Sequence, residues 1–220
     1  ERLNLITGDN GLGKTFLLEC AWWALTGQWT GSPAYPRHQG NVGASEITFR
    51  ISTRSRNSES FTSSYDPTNR GWSAPPKRPT IPGLLVYARV DSSFAVWDPA
   101  RVDFDGVGIP LVFSKDEVWQ GLHERDSTRS YSEGLLRDWV RWQAKPNDPP
   151  FYNFKQILHR LSPRDMGVLE PGDPIRVPYD SKEIPTLIHP YGITPITYAA
   201  AGMKRIVAIA YFIVWAWSEH

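Results

Sequence analysis

The stretch GDNGLGKT, residues 8–15, confines this chain to few architectures. Gly8, four further residues and then Gly13-Lys14-Thr15 match the phosphate-loop spacing G-x-x-x-x-G-K-[ST], which functions between a strand and a helix. Both flanks supply that setting. Leu3-Asn4-Leu5-Ile6-Thr7 alternates as a short buried strand, and Phe16 to Leu25 reads as a helix that Gly27 stops. Gly8, Gly11 and Gly13 allow backbone conformations and a close approach that side chains block. Consecutive N–H groups of Gly8, Asp9, Asn10, Gly11, Leu12, Gly13, Lys14, Thr15 and Phe16 are therefore the expected cradle for phosphate oxygens. The start of the following helix adds partial positive charge. Lys14 is the expected catalytic residue, reaching the β- and γ-phosphates as a point charge, and the Thr15 hydroxyl is the expected magnesium ligand.

A chain of 220 residues, 40% apolar and with 10 tryptophans, is long enough to bury a sizeable core. Its 24 basic and 23 acidic residues leave a net charge of +1, which argues against nucleic-acid binding over the whole surface. Cys20 is the single cysteine, so no disulfide framework exists and a reducing, cytoplasmic compartment is expected. On its helix, Cys20 reads as a small apolar residue rather than a reactive thiol. The first residues read as the inside of a strand, with no leader, which suggests numbering that starts within a longer protein. The longest apolar run, Ile206 to Trp217, is well short of the about 20 residues that cross a bilayer, so no membrane association is expected. His38, His123, His159, His189 and His220 have no metal-site spacing.

Residues 28–43 read as a loop in which Trp29 and Tyr35 either flank a base or anchor the backbone, anchoring being the commoner role. Ser45 to Ser52 alternates as a half-buried strand. Thr53 to Thr80, rich in Ser, Arg, Asn and Pro, suggests a surface excursion. Gly83 to Val90, Ser93 to Trp97 and Leu111 to Phe113 read as strands of an antiparallel sheet. Ser130 to Glu133 has capping-box spacing and precedes Leu135, Leu136, Trp139 and Val140 at helical intervals. A second helix is expected to open at Asn153-Phe154-Lys155-Gln156 and end at Pro163. Residues 166–195 carry recurrent prolines and no periodicity, so an extended irregular connection is expected. The last segment, TYAAAGMKRIVAIAYFIVWAWSEH, reads as a buried helix with an exposed N-terminus.

A phosphate loop opening LNLITGDNGLGKT, an antiparallel insertion, a helical segment and a late glycine-started helix together resemble the ATPase heads of the ABC superfamily. The branch the chain is most similar to is the SMC, RecF and OLD-like ATPases. Within it, VYARVDSSFAVWDPAR, GLLRDWVRWQ and AGMKRIVAIAYFIVWAWSEH resemble the bacterial AAA-family ATPases found beside DNA-repair and phage-defence genes. The resemblance implies an α/β P-loop NTPase of ABC-ATPase type with an antiparallel β insertion and a helical lobe. Its expected organisation is a P-loop core with a β lobe over residues 1–129 and a helical lobe over residues 130–220. The implied activity is ATP hydrolysis by a dimer or higher oligomer, driving or gating action on DNA or an effector protein, with ATP and Mg2+ as cofactors. The alternative is an ATP-liganded scaffold or sensor without efficient turnover; a small-molecule kinase is disfavoured by the antiparallel insertion.

In such heads a signature before the late helix, usually with a serine before a glycine, meets the γ-phosphate held by the other subunit. Gly202 matches the glycine, whereas Ala199 to Ala201 supply no hydroxyl, leaving Gly202, Met203 and Lys204 as the expected in-trans contacts. Hydrolysis also needs a carboxylate at the end of an apolar strand. Asp91 follows a strand interrupted by Arg89, and Asp116-Glu117 is separated from its strand by Ser114 and Lys115. In the heads resembled, the acidic strand follows the late helix, which here ends at His220. A truncated head is therefore expected, with apolar surface from Ile206 to Trp217 left uncovered. Asp98 and Arg101 are candidates for a local ion pair or for communication with the nucleotide, the local turn being the commoner role, and Gln120 and Gln143 are available as coupling glutamines without positional warrant.

Overall fold

The glycine stretch runs directly into a helix, α1, Lys14–Thr26, in the computed structural model. That model describes residues 4–36, 45–53, 56–73, 83–98, 111–123, 130–164, 167–176, 178 and 182–218, with backbone alone at 51–53 and 56–59. The helix ends as expected: Gly27 adopts a left-handed φ of 75° and its N–H donates to the Trp23 carbonyl. The expected strand before the loop does not form. Residues 4–9 have no regular structure, and Leu5 is 84% exposed. No neighbouring strand accepts or donates hydrogen bonds there among the described residues, and a lone strand leaves its backbone groups to solvent.

The chain divides into two compact units, Glu1–Gly83 with Trp97–Pro110, and Leu84–Val96 with Leu111–His220. In the first, β1, Glu46–Thr53, and β2, Arg56–Asp66, form an antiparallel hairpin in which Phe49 faces Phe61. A short β3, Gly71–Trp72, pairs back onto Tyr65 and Asp66. Within the serine-rich 53–80 stretch, residues 56–66 and 71–72 are thus sheet rather than a surface excursion, and residues 74–80 lie outside the described residues. Alternation places Phe61, Ser63 and Tyr65 on the buried side, with polar residues between them. Trp23 stacks on Trp29 at 5.3 Å and meets the edge of Phe49 at 6.0 Å. Trp72 packs on Tyr65 and donates its indole N–H to the Ala34 carbonyl at 2.8 Å. Trp29 and Tyr35 accordingly anchor the 28–36 loop, Tyr35 doing so against Tyr65.

The second unit holds a sheet of β4, Leu85–Ala88, β5, Phe94–Trp97, and β6, Leu111–Phe113, in that order. After it come α2, Lys115–Gln120, and the paired strands β7, Leu122–His123, and β8, Ser130–Ser132. Two helices follow, α3, Leu135–Gln143, and α4, Pro149–Leu161. The expected capping box at Ser130 is absent. Ser130–Ser132 is strand, and the Ser132 hydroxyl instead accepts from Gly134 N–H at 3.1 Å. A capping box does form at Ser114 and Glu117, opening α2. The start of α4 lies four residues earlier than Asn153, because Pro149 fits the first helical turn, where its missing N–H costs nothing.

The proline-rich 166–195 segment is a three-stranded antiparallel sheet rather than an irregular connection. It comprises β9, Glu170–Arg176, β10, Glu183–His189, and β11, Gly192–Pro195, in the order β11-β10-β9. Pro171 and Pro174 lie on edge strand β9, and Pro185 falls where the central strand's register slips between Ile184 and Thr186. A 3-10 turn, Ile196–Tyr198, then leads to α5, Ala201–Ser218. Phe212 of α5 stacks on Phe94 at 4.6 Å and meets Phe113, while Tyr211 stacks on Trp142. The apolar body of α5 is therefore largely covered inside its own unit, contrary to the uncovered surface expected; Ile213 and Trp217 are the exceptions. At its start, Arg205 donates to the carbonyls of Ala88 and Arg89 at the end of β4. Each strand pair whose register is described is antiparallel, so the whole is mixed α/β with several small antiparallel sheets.

Candidate functional site

Three glycines with positive φ shape the loop: Gly8 at 146°, Gly11 at 87° and Gly13 at 80°. At Gly11 and Gly13 no atom lies within 4 Å of a built Cβ, so backbone conformation alone demands glycine there. Leu12 N–H closes a turn onto the Asp9 carbonyl at 3.4 Å, and Gly13 ends the turn as the N-cap of α1. No side chain caps this helix, and its first backbone bond runs from Leu17 N–H to the Gly13 carbonyl. The amides of Lys14, Thr15 and Phe16 thus open the helix as donors, with the positive end of its dipole behind them.

Lys14 bends back over the loop and donates to the carbonyls of Gly8 at 2.6 Å and Asp9 at 2.7 Å. It makes no ion pair among the described residues. Its ammonium is therefore held at the mouth of the cradle by neutral acceptors, which an incoming phosphate oxygen replaces at little cost. The Thr15 side chain is exposed beside it, as are Asp9, Asn10, Leu12 and Phe16. The residues present fit a polyphosphate with a magnesium ion, since that cation takes few protein ligands and completes its shell with phosphate and water. No group of three His, Cys, Asp or Glu suited to a metal occurs among the described residues.

The candidate acids have other work. Asp91 accepts from the backbone N–H of Ser93 at 3.0 Å and its hydroxyl at 2.5 Å, closing the β4–β5 turn in which Ser92 has φ 68°. Those bonds from Ser93 hold its carboxyl below the usual aspartate range, with Arg89 adding a smaller effect. Glu117 is consumed by the α2 capping box, and Asp116 stands beside it in the exposed first turn. Gln143 accepts from the Trp139 indole and donates to the Gly172 carbonyl, so it ties α3 to β9. Asp98 is buried, whereas Arg101, His38 and His220 lie outside the described residues. Cys20 is half-buried, and burial, then the neighbouring Glu19 charge, push its thiol upward, which keeps it protonated and inert.

Gly202 is the second residue of α5 rather than a residue before it, and a Cβ there meets no atom within 4 Å. Met203 is buried. Lys204 donates its ammonium to the Thr197 carbonyl at 2.7 Å, and its backbone N–H makes the first bond of the helix, to Ala200.

The AAA domain profile matches residues 1–110, half of the chain, taking in the glycine loop, α1 and the β1–β3 sheet. The chain belongs to the AAA domain family. It is an AAA-type P-loop ATPase domain, with a nucleotide-binding function of the ATPase kind and ATP as the nucleotide. No curated protein and no solved structure matches it. Among the described residues, no helix of this AAA chain is long and apolar enough to cross a membrane.

Proposed function

We propose that this AAA chain is the ATP-binding head of an ABC-type ATPase of the SMC, RecF and OLD-like branch, acting in the cytoplasm. In this reading it hydrolyses ATP as a dimer to drive or gate action on DNA or an associated effector, in a setting such as phage defence. The observation that carries the reading is the glycine loop, which presents Lys14 and three helix-opening amides at one exposed mouth. Gly8 to Phe16 bind the phosphates, Lys14 neutralises the β- and γ-oxygens, and the Thr15 hydroxyl ligates magnesium. Magnesium, when bound, draws charge from the phosphate oxygens. Residues 1–129 form the core with its β lobe and residues 130–220 the helical lobe.

The opening amides of α5 at Gly202 and Met203, with Lys204, meet the γ-phosphate of the opposite subunit. Gly202→Ala is a clean probe, because an added methyl meets nothing within 4 Å and alanine favours the helix. The dimer reading expects a variant at least as stable as the parent, with lower ATP turnover. It also expects a mixed dimer of Lys14→Ala and Gly202→Asp subunits to be more active than either homodimer; equal activities sink the shared site.

A second reading, an ATP-liganded scaffold or sensor, is favoured by the engagement of Asp91 in its turn and Glu117 in its cap. Steady phosphate release above background, measured on the purified protein, decides for the motor. Tight ATP binding without release decides for the scaffold.

A further inference from the structure

The second unit contains a cleft of about 730 Å³ between α3, the end of α2 and the start of β10. Its volume falls in the range of small-molecule sites. Positions 136, 137, 140 and 141 lie on one side of α3, so two parallel stripes face it: Leu136 with Val140, and Arg137 with Arg141. Ile184 extends the apolar stripe, and Lys182 adds a third cation. Among the described residues, Glu183 is the one carboxylate on the lining, and it lies 3.8 Å from Arg176.

Arg141 is held from behind by a buried chain of polar groups. Asp138, whose side chain is 2% exposed, receives the Arg141 guanidinium at 2.8 Å through one oxygen. Its other oxygen accepts from the Tyr211 hydroxyl at 2.8 Å, and that hydroxyl lies 2.9 Å from the Ser132 hydroxyl. A carboxylate buried this deeply is retained at a cost in desolvation, and here it forms an ion pair with an Arg141 side chain that is itself 58% exposed. One NH2 group of Arg141 serves Asp138, which leaves its other N–H donors for an anion. Among the described residues, Arg137 pairs with half-buried Glu133, one turn back, in a pair of the kind that exchanges readily.

We propose that this cleft binds a small organic anion, with a phosphate or carboxylate head on Arg137, Arg141 and Lys182 and an apolar body along Leu136, Val140 and Ile184. The site lies wholly within the second unit and shares no residue with the glycine loop. Its failure and that of the nucleotide reading are therefore separable.

The test is calorimetry on the Lys14→Ala protein, in which the glycine loop no longer competes for phosphate, with octyl phosphate and octanoate as probes. Octanol and inorganic phosphate supply each half alone. The expected result is one-to-one binding of at least one octyl anion, with the two halves weaker by about tenfold or more. The tighter of the two anions assigns the head group. Arg137→Gln and Arg141→Gln, each confirmed as folded by thermal melting, are each expected to weaken binding by about tenfold. The proposal is overturned if neither anion binds, if octanol binds as tightly, or if both folded arginine variants bind as well as the parent.

Discussion

Lys14 spends its hydrogen bonds on two carbonyls of its own loop, so ATP binding exchanges neutral acceptors for charged ones. Charge-assisted contacts of this kind contribute roughly 1.5–3 kcal/mol. Lys14→Ala is accordingly expected to weaken ATP binding by about ten- to a hundredfold, read by calorimetry on folded protein. Thr15→Ala is expected to weaken magnesium-dependent binding more than magnesium-free binding, the comparison being made with and without a chelator. Unchanged affinity in the Lys14 variant removes the phosphate-loop assignment. These residues were legible in the sequence because a glycine requirement and a fixed spacing express a local geometry. Asp91 and Glu117 were not, since an acid that satisfies a turn or cap looks in sequence like one offered to a metal. What separates them is the backbone N–H each one meets.

At the scale of elements, a tight backbone crossing joins Gly121, after α2, to Gly134, before α3. Both have positive φ, and a Cβ on either collides with backbone atoms of the other's segment. Gly134→Ala is expected to destabilise the protein by about 2–4 kcal/mol, read from the urea midpoint. Nothing in a sequence pattern shows such a crossing, because it arises from two segments brought together by β7 and β8. The β9–β11 sheet was hidden for a related reason: its prolines suit an edge strand and a register slip, which only pairing defines. The helices α1, α3 and α5, by contrast, follow from their own apolar spacing and stops. The β2–β3 turn carries a pH dependence of its own. Asp66 accepts from Thr68 and Asn69, and the Thr68 backbone bond, followed by those from Asn69, lowers its pKa. A lowered folded pKa stabilises above the unfolded value of about 3.9 and loses that stabilisation as pH falls through the folded value. Thermal melts of the parent and Asp66→Ala are therefore expected to differ at neutral pH and to converge in acid.

For the whole molecule, the exposed apolar surface lies elsewhere than the sequence led us to expect. The body of α5 is packed within its unit, whereas Leu12, Phe16, Leu17 and Leu18 stand exposed along the loop and α1, with Leu5 and Ile6 before them. Large apolar side chains exposed together along one segment favour association. Light scattering over a concentration series is expected to show self-association that Leu17→Lys with Leu18→Lys reduces. If Trp217→Lys reduces it more, the face on α1 is not the one responsible. The AAA match, residues 1–110, takes in that loop and α1. The other half is organised around α5, and one side chain there acts at a distance from its own helix. Arg205 grips the last carbonyls of β4, on the approach to the Asp91 turn. It is a strut: the first turn of α5 cannot tilt without dragging the β4–β5 hairpin, so a load applied at either end is transmitted to the other as displacement rather than absorbed as slack.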